Sequence, residues 1–485
     1  MAFACACFLQ GCFSTVPKDV ISETFSKEKM QDDIETFHQI VSASHAGAYA
    51  YNTPQQLDHL FDSVKATIHN DLTLGDFYNK VDFIVDQIGC LHTEANLPSY
   101  YVDSISDRPL FFPVPVVSIS EKLFINSDYF VIPLGSEIIT INGTPASDII
   151  NKLTMYNHAD GKKDAVRHKM CDDDFTFNYF MTYGGSSTFK IRYREPGDST
   201  IVSKFFKAEK YNDISSKRYD RTYYFYPEDA PYDFQIVDSS STAILTVRTF
   251  YYETIATTNA FDHFVENSFR LIKQNNIKNL VIDCRNNGGG FYYDTYKLLS
   301  YLVNERLPEF DSAVKRYDAL PYPKYVADNN TDKIESEDSA RSQFTEMRKG
   351  VYYQNKSEIK VWDVNPLLFK GKIFVIINNG VASAASDFAS ILKDKTNAFL
   401  IGEETIGGEL AHNSSVVVYE LPNSHIKLNI PTKRYYQPVK KGVMANGVSP
   451  HKYLPFTQDD VINNNDRPLL YIMDSLILLK KSPVK

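Results

Sequence analysis

One serine in the chain has surroundings that suit nucleophilic catalysis. Ser383 lies in the string NNGVASAASDFA, where small residues follow an apolar segment and precede a helical pattern. A hydroxyl at the N-terminus of a helix can act as a nucleophile, because the N–H groups of the first turn and the helix dipole stabilise negative charge that develops beside it. A serine at this place can equally be an ordinary N-cap. Ser383 alone therefore does not establish an activity.

A glycine-rich turn could bring backbone N–H groups to a ligand. Residues 286–290 read NNGGG and follow the apolar run NLVID. Glycine tolerates positive φ and lets the backbone approach a bound group closely. The turn lacks the Lys-Ser/Thr of a phosphate-binding loop and the spacing of a dinucleotide fingerprint. A purely structural tight turn is the alternative.

A histidine could be the base that such a serine needs, since a neutral imidazole near pH 7 can accept a proton. His92 in the string IGCLHT is one candidate. The chain has 11 histidines, so residue type alone does not select this one. A lone histidine is more often a structural side chain than a base.

Continuous apolar runs separated by helical patterns predict a parallel sheet around these residues. The runs NLVID, KIFVII and AFLIG are typical of strands covered on both faces. Helices are predicted over 255–280 and 383–394. Strand–helix–strand alternation of this kind indicates an α/β core.

The pattern changes twice upstream of this core. Residues 20–100 repeat apolar side chains at three- and four-residue spacing, which predicts helices. Residues 135–143 read GSEIITING and precede ASDIINKL, which predicts a strand, an Asn-Gly turn and a short helix. This part resembles the carboxyl half of a PDZ domain. A small β module that only packs on its neighbours is the alternative.

Composition excludes several classes of protein. A hydrophobic content of 43% with 23% charged residues is ordinary for a folded chain, which excludes wholesale disorder, collagen and coiled coil. The net charge of −9 without a Lys/Arg block argues against nucleic acid as the main partner. The six cysteines form no CxxC pair, so neither a zinc knuckle nor a disulfide scaffold is supported. No ligand cluster has usable spacing, and neither a metal nor an organic cofactor is expected.

Four motifs in one order resemble those of the C-terminal processing (tail-specific) serine peptidases. They are VIDCRNNGGG, NNGVASAAS, FLIGEETIGG and GVSPH, and the upstream strings HAGAYAYN and IGCLHT are similar to those of the tricorn-like branch. The resemblance covers roughly residues 35–155 and 240–475. It implies an α/β and α+β multidomain chain with an α/β catalytic core of the ClpP/crotonase-like type. It also implies hydrolysis of peptide bonds in protein or peptide substrates.

The resemblance assigns roles to the residues singled out above. Ser383 matches the nucleophile of the family. The N–H of Ala384 and a glycine N–H from Gly288 or Gly289 match the oxyanion hole, which would stabilise a tetrahedral intermediate. Ser386 stands where the family usually has glutamate.

The family activates its serine in two ways, and the sequence favours the second. Gly408 occupies the place of the lysine base of one branch, so a Ser–Lys dyad is not expected. His92 matches the histidine base of the other branch, which would take the proton of Ser383 and return it to the leaving amine. That branch often has a glutamate before "GVEPD", but residues 440–446 offer no carboxylate. Glu409, Glu403 and His451 are the candidates to replace it.

The amino terminus resembles a bacterial lipoprotein signal. MAFACACFLQGC has a short apolar run before Cys12 but lacks a basic start and a longer apolar stretch. The resemblance implies lipidation of Cys12 and an exported, periplasmic or membrane-anchored protein, with the lipid as its only membrane contact. A cysteine-containing terminus without a role is the alternative.

These observations predict six parts of the chain. They are a signal or lipoprotein leader (1–19), a helical amino-terminal region (20–108), a PDZ-like module (109–158), a β-rich part of the core (159–240), the catalytic α/β core with an insertion at 305–365 (241–457), and a carboxyl-terminal helix and tail (458–485).

Two functions are consistent with these features of the sequence. The retained Ser383, His92 and glycine turns favour a serine endopeptidase. The missing carboxylate and the altered string GVSPH favour a degenerate family member that binds peptides or apolar ligands without cleaving them. Loss of an orienting acid can cost orders of magnitude in rate while the residual machinery remains.

Overall fold

The computed structural model describes residues 20–128, 130–161, 175–215, 231–237, 240–251 and 255–478 of the chain. The predicted leader with Cys12 lies outside the described residues, as does the end of the predicted carboxyl-terminal tail. None of the described helices is both long enough and apolar enough to cross a membrane.

The amino-terminal region is helical, as its apolar spacing predicts. Thr53 and Gln56 form a capping box before the second helix, and Pro54 occupies the first turn, where its missing N–H is not needed. The third helix ends at Gly89, whose φ of +72° turns the chain toward His92. The elements of this region are β1 (Thr24–Phe25), α1 (Lys27–Ser44), α2 (Pro54–Ala66), β2 (Leu72–Thr73), α3 (Leu74–Ile88), β3 (Glu94–Asn96) and α4 (Ser99–Ser106).

A separate antiparallel sheet follows, with the strand order β4-β5-β6-β8-β9. The predicted strand, Asn-Gly turn and short helix are all present, and the turn residues Asn142 and Gly143 both have positive φ. The elements are β4 (Val116–Ile119), β5 (Lys122–Ile125), β6 (Glu137–Ile141), β7 (Thr144–Pro145), α5 (Ala146–Leu153), α6 (Phe175–Tyr183), β8 (Thr188–Arg194), β9 (Ile201–Lys207) and α7 (Tyr211–Ser215).

The boundary of this module differs from the predicted one. Strands β8 and β9 belong to the segment 159–240 that the sequence assigned to the core, yet β8 pairs with β6. The physical reason is the alternation in β8, which turns Phe189, Ile191 and Tyr193 into the same apolar cluster as Ile138 of β6. The module therefore extends past residue 158 to at least residue 207.

The core contains the predicted parallel sheet. Its strand order is β10-β11-β12-β18-β19-β22, and β11, β12, β18, β19 and β22 run parallel. The remaining elements of the chain are β10 (Tyr232–Val237), β11 (Thr242–Val247), α8 (Ile255–Gln274), β12 (Asn279–Asp283), α9 (Tyr292–Ser300), β13 (Leu307–Pro308), β14 (Ser312–Lys315), α10 (Asp332–Ser339), β15 (Glu346–Arg348), β16 (Val351–Tyr353), β17 (Val361–Trp362), β18 (Lys372–Ile377), α11 (Ser383–Lys395), β19 (Phe399–Gly402), β20 (Ala411–Glu420), β21 (Lys427–Tyr436), β22 (Lys452–Tyr453), α12 (Gln458–Asn463) and α13 (Arg467–Leu470), followed by a π-helical segment Tyr471–Leu478.

The parallel sheet is apolar on both faces because both faces are covered. Leu280 and Val375 pack with Phe388 of α11 on one side. Val281 and Phe374 pack on the other side with the carboxyl-terminal segment, including Ile472. This double burial explains why the strands read as continuous apolar runs.

A second sheet joins the amino-terminal region to the core. Its strand order is β15-β16-β14-β21-β20, and β3 pairs with β21 beside it. The segment 305–365, predicted as an insertion, supplies β14, β15 and β16 to this sheet. Because β3 begins two residues after His92, its pairing with β21 brings the His92 turn to the core.

The packing of the parallel sheet predicts the cost of a cavity. Leu280→Ala removes a fully buried side chain from β12 and should lower the free energy of unfolding by about 2–5 kcal/mol. Leu271→Ala on α8 is the matched control, since Leu271 is 40% exposed. Urea denaturation followed by circular dichroism measures both, and equal losses in the two variants would contradict this account of the core.

Candidate functional site

Ser383 is the first residue of α11, immediately after a tight turn from β18. Its φ is +48°, a left-handed conformation for a residue other than glycine. Such strain costs on the order of 1–3 kcal/mol and persists where the surrounding structure fixes it, often at functional sites. Ala382 takes the N-cap position, so the half-buried Ser383 side chain is not used as the cap.

Hydrogen bonds between asparagines join the glycine turn to the turn before Ser383. Asn286 donates its N–H to Asn378 Oδ1 at 2.9 Å, and Asn378 Nδ2 donates to Asn286 Oδ1 at 2.8 Å. The N–H of Ala382 also donates to the carbonyl of Asn287 at 3.0 Å. The glycine turn is therefore held in a fixed position beside the nucleophile candidate.

The predicted oxyanion donors differ in their availability. The Gly289 N–H already donates to Asn287 Oδ1 at 2.9 Å. Within the described chain, the N–H groups of Gly288 and Ala384 have no acceptor. A Cβ on Gly289 would lie 2.8 Å from Ser383 Cβ and 2.9 Å from the Ala384 nitrogen. Gly289 is thus the close-packed member of the turn, and the N–H groups of Gly288 and Ala384 are the candidate donors that remain available.

The turn that carries His92 is anchored on three sides. Each anchor is a hydrogen bond between a neighbour of His92 and a buried polar side chain, which offsets the cost of burying these groups. The three bonds are Asn413 Nδ2 to Cys90 Sγ at 3.2 Å, Leu91 N–H to Asp160 Oδ1 at 3.1 Å, and His45 Nε2 to Thr93 Oγ1 at 2.7 Å.

The structure brings His92 and Ser383 into one region. Leu91, adjacent to His92, packs against an apolar cluster that contains Ala382, adjacent to Ser383. In the described part of the chain, no hydrogen bond joins the two side chains, and the buried His92 Nδ1 has no partner. Catalytic contacts are often longer in an empty site than with substrate bound.

The environment of His92 favours a neutral ring. Burial lowers the pKa of His92 to about 4, the Asp160 carboxylate opposes this shift, and the His412 ring adds to it. The ring is therefore neutral at pH 7 and able to accept a proton.

Asp160 is a buried carboxylate that the sequence analysis did not single out. Its Oδ1 accepts from Leu91, and its Oδ2 accepts from the N–H of Gly408 at 3.2 Å. Asp160 is 1% exposed. It lies in the polar string NHADGKKD, and no local pattern separates it from an ordinary surface aspartate.

A buried Asp–His pair lies beside the candidate site and was also missed. His412 Nδ1 is 3.1 Å from Asp387 Oδ1, and His412 Nε2 is 3.1 Å from the Tyr292 hydroxyl. The His412 and His92 ring centroids are 5.9 Å apart. Burial lowers the pKa of His412, but the Asp387 carboxylate more than offsets it, so that the pKa is raised overall. Asp387 lies one helical turn after Ser383, and this spacing was the available signal.

The three residues proposed to replace the missing glutamate have other partners. Glu409 binds Lys393 at 2.8 Å and accepts a backbone N–H. His451 Nδ1 accepts the N–H of Leu400 at 3.0 Å. Glu403 lies near Tyr453, whose pKa is raised by burial and by the Glu403 charge. Within the described residues, none of the three makes a hydrogen bond to His92.

Two departures from the family pattern have structural counterparts. A Cβ on Gly408 would lie 2.3 Å from the carbonyl oxygen of Ala411, so the position has no room for a lysine side chain. Ser386 Oγ donates to the carbonyl of Val381 at 3.2 Å and supports the turn before Ser383.

No group of side chains that could hold a metal ion occurs among the residues that the structure describes.

A family model and several solved structures match the chain. Residues 241–454 match the model of peptidase family S41. Mature CPAF is 16% identical with a TM-score of 0.62, and the match covers 92% of this chain and 96% of CPAF. The complex of mature CPAF with lactacystin is 15% identical with a TM-score of 0.63, covering 93% and 98%.

A serine-to-alanine mutant of CPAF is 15% identical with a TM-score of 0.66, and the match covers 93% of this chain and 97% of the mutant. At this level of identity the likeness shows that the fold is shared. No curated protein sequence matches the chain.

The packing of Gly289 predicts a sensitive position. Gly289→Ala should reduce the rate at which Ser383 reacts with a fluorophosphonate probe by roughly 100-fold, because the new methyl group displaces the nucleophile or its neighbours and a shift of about 1 Å has that cost. Gly143→Ala is the control, since Gly143 also has positive φ but nothing lies within 4 Å of a Cβ there. Equal labelling of both variants would refute the proposed contact.

Proposed function

We propose, because residues 241–454 match the model of peptidase family S41, that the chain is a serine-type peptidase in which Ser383 attacks the carbonyl carbon of a peptide bond. The observation that carries the proposal is the position of Ser383 at the start of α11, in a strained conformation and against Gly289 of the glycine turn. We propose that the N–H groups of Ala384 and Gly288 bind the oxygen that becomes negative in the tetrahedral intermediate.

We assign the role of the base to His92. Its ring accepts the Ser383 hydroxyl proton as the oxygen attacks, and it then returns that proton to the leaving amine when the C–N bond breaks. The acyl group is left on Ser383. A water molecule attacks this ester in the second half-reaction, gives its proton to His92, and releases the acid as the serine recovers its proton.

The substrates are proteins or peptides. We propose that the module containing β4–β9, which resembles a PDZ domain, holds the carboxyl end of the substrate and presents the preceding segment to Ser383. Export and lipidation at Cys12 remain predictions of the sequence.

Removal of the hydroxyl tests the nucleophile. Ser383→Ala should abolish cleavage of an unfolded protein substrate, leaving at most the residual rate supplied by binding and the oxyanion site. Ser390→Ala on the same helix is the matched control and should keep activity, because the only hydrogen bond that Ser390 Oγ makes to a described residue is to the carbonyl of Glu409. Turnover by Ser383→Ala equal to that of the unchanged protein would refute the assignment.

The rival function is peptide binding without cleavage. It is favoured by the absence, among the described residues, of a hydrogen bond from His92 to Ser383 or to any carboxylate. Labelling with a fluorophosphonate separates the two functions, because an inert serine does not react. A protein that binds peptides but neither cleaves them nor labels at Ser383 would establish the rival.

The neutral His92 ring predicts the pH dependence. Since the pKa of His92 is lowered to about 4, the base stays unprotonated as the pH falls below 6.5, the ordinary value for histidine. We expect kcat/KM to stay constant from pH 7 to about pH 5 and to fall about tenfold per pH unit below pH 4. Circular dichroism at each pH controls for unfolding. A fall centred near pH 6.5 would contradict the account.

A further inference from the structure

We propose that Asp160 is the positioning residue of His92, and that its buried carboxylate takes the place of the acid that residues 440–446 do not supply. The inference rests on the proposed function of Ser383 and His92. It concerns a residue outside every motif that carries the family resemblance.

The two carboxylate oxygens of Asp160 bind two different segments of the chain. Asp160 Oδ1 accepts the N–H of Leu91, the residue before His92, at 3.1 Å. Its Oδ2 accepts the N–H of Gly408 at 3.2 Å. One side chain thereby fixes the His92 turn against the loop between β19 and β20.

That loop in turn contacts the nucleophile. A Cβ on Gly407 would lie 2.8 Å from the Ser383 nitrogen, and the N–H groups of Ile406 and Gly407 donate to the carbonyl of Val381 at 3.0 and 3.2 Å. Asp160 therefore determines how far the His92 turn lies from Ser383.

The backbone around Asp160 makes the same connection. The Asp160 N–H donates to the carbonyl of Ile406 at 3.4 Å, and the Gly161 N–H donates to the carbonyl of Gly89 at 2.9 Å. Gly161 has a φ of +84°, and a Cβ there would lie 2.4 Å from the Ala445 carbonyl oxygen. Only glycine fits where the backbone of residue 161 passes this close to Ala445. The glycine thereby allows Asp160 to lie between the His92 turn and the loop between β19 and β20.

The Asp160 carboxylate also acts on His92 electrostatically. Asp160 is 1% exposed, and its charge raises the pKa of His92 against the effect of burial. When His92 accepts the serine proton, the ring becomes positive. A fixed negative charge nearby stabilises that state more than the neutral ground state, which is the condition for lowering the barrier.

The neighbouring Asp387–His412 pair cannot position or charge-stabilise the His92 ring in the same way. Both ring nitrogens of His412 lie within hydrogen-bond distance of other groups, Asp387 and the Tyr292 hydroxyl, so neither is left for His92 Nδ1. The His412 ring also lowers the pKa of His92, which opposes the formation of a positive ring. The Asp160 charge also acts on other titratable groups around it, which are His45, Tyr51, Cys90, Asp387, His412 and Arg434.

The test is the pH profile and the kinetic constants of Asp160→Asn. The amide keeps a carbonyl that can accept one N–H but has no negative charge. We expect kcat to fall roughly 100-fold with KM within about twofold, because the base is displaced while the substrate site is intact. The acid limb of kcat/KM should move to lower pH, because loss of a negative charge lowers the pKa of His92 further.

Asp160→Glu and Glu409→Gln complete the experiment. Asp160→Glu keeps the charge and should leave the acid limb in place while kcat falls, because the longer side chain displaces the turn. Glu409→Gln removes a buried carboxylate of the loop between β19 and β20, which binds Lys393 of α11, and should not move the acid limb. The proposal would be overturned if Asp160→Asn left the acid limb of kcat/KM unchanged, or if Glu409→Gln moved that limb equally. A kcat of Asp160→Glu equal to that of the unchanged protein would also overturn it.

Failure of this inference is distinguishable from failure of the proposed function. If Ser383→Ala still turns over substrate, the nucleophile assignment is wrong whatever Asp160 does. If Ser383→Ala is inactive and the acid limb of Asp160→Asn is unmoved, only the role of Asp160 is wrong.

Discussion

Parallel pairing of β12 with β18 is the constraint on which the candidate site depends. The register places Asp283 beside Ile376, so the two strands end at one edge of the sheet and the glycine turn and the Ser383 turn begin there together. The reciprocal bonds of Asn286 and Asn378 then fix one turn against the other. The glycine turn and the N-terminus of α11 thereby lie at Ser383, and backbone N–H groups in such a place can stabilise a developing negative oxygen.

His92 reaches this edge by an independent route, through the pairing of β3 with β21 and the anchors of its turn. The ring is neutral because burial outweighs the attraction of Asp160. Each buried polar anchor has a specific partner, since a buried group without one would cost about 1–3 kcal/mol. The candidate site therefore combines Ser383, the proposed nucleophile, which the sheet positions, with His92, the proposed base, whose turn is held by a few hydrogen bonds.

Local patterns predicted the parts of this structure that depend on local sequence. The apolar runs that became β12 and β18, the turn at Asn142 and the helix beginning at Ser383 all follow from spacing and residue type. The pairing of β8 with β6 could not be predicted. The alternation in the β8 sequence shows that one face of this strand is buried, but it does not show which element covers that face. Asp160 and His412 were missed because their roles come from contacts between distant segments, which a single sequence does not display.

The most direct test of the central claim is a crystal structure of the protein after reaction with a fluorophosphonate. We expect one adduct, on Ser383 Oγ, with its phosphonyl oxygen within hydrogen-bond distance of the Ala384 and Gly288 nitrogens and a His92 ring nitrogen within about 3.2 Å of the serine oxygen. An adduct on another residue, or a His92 ring that stays out of reach in the covalent complex, would contradict it.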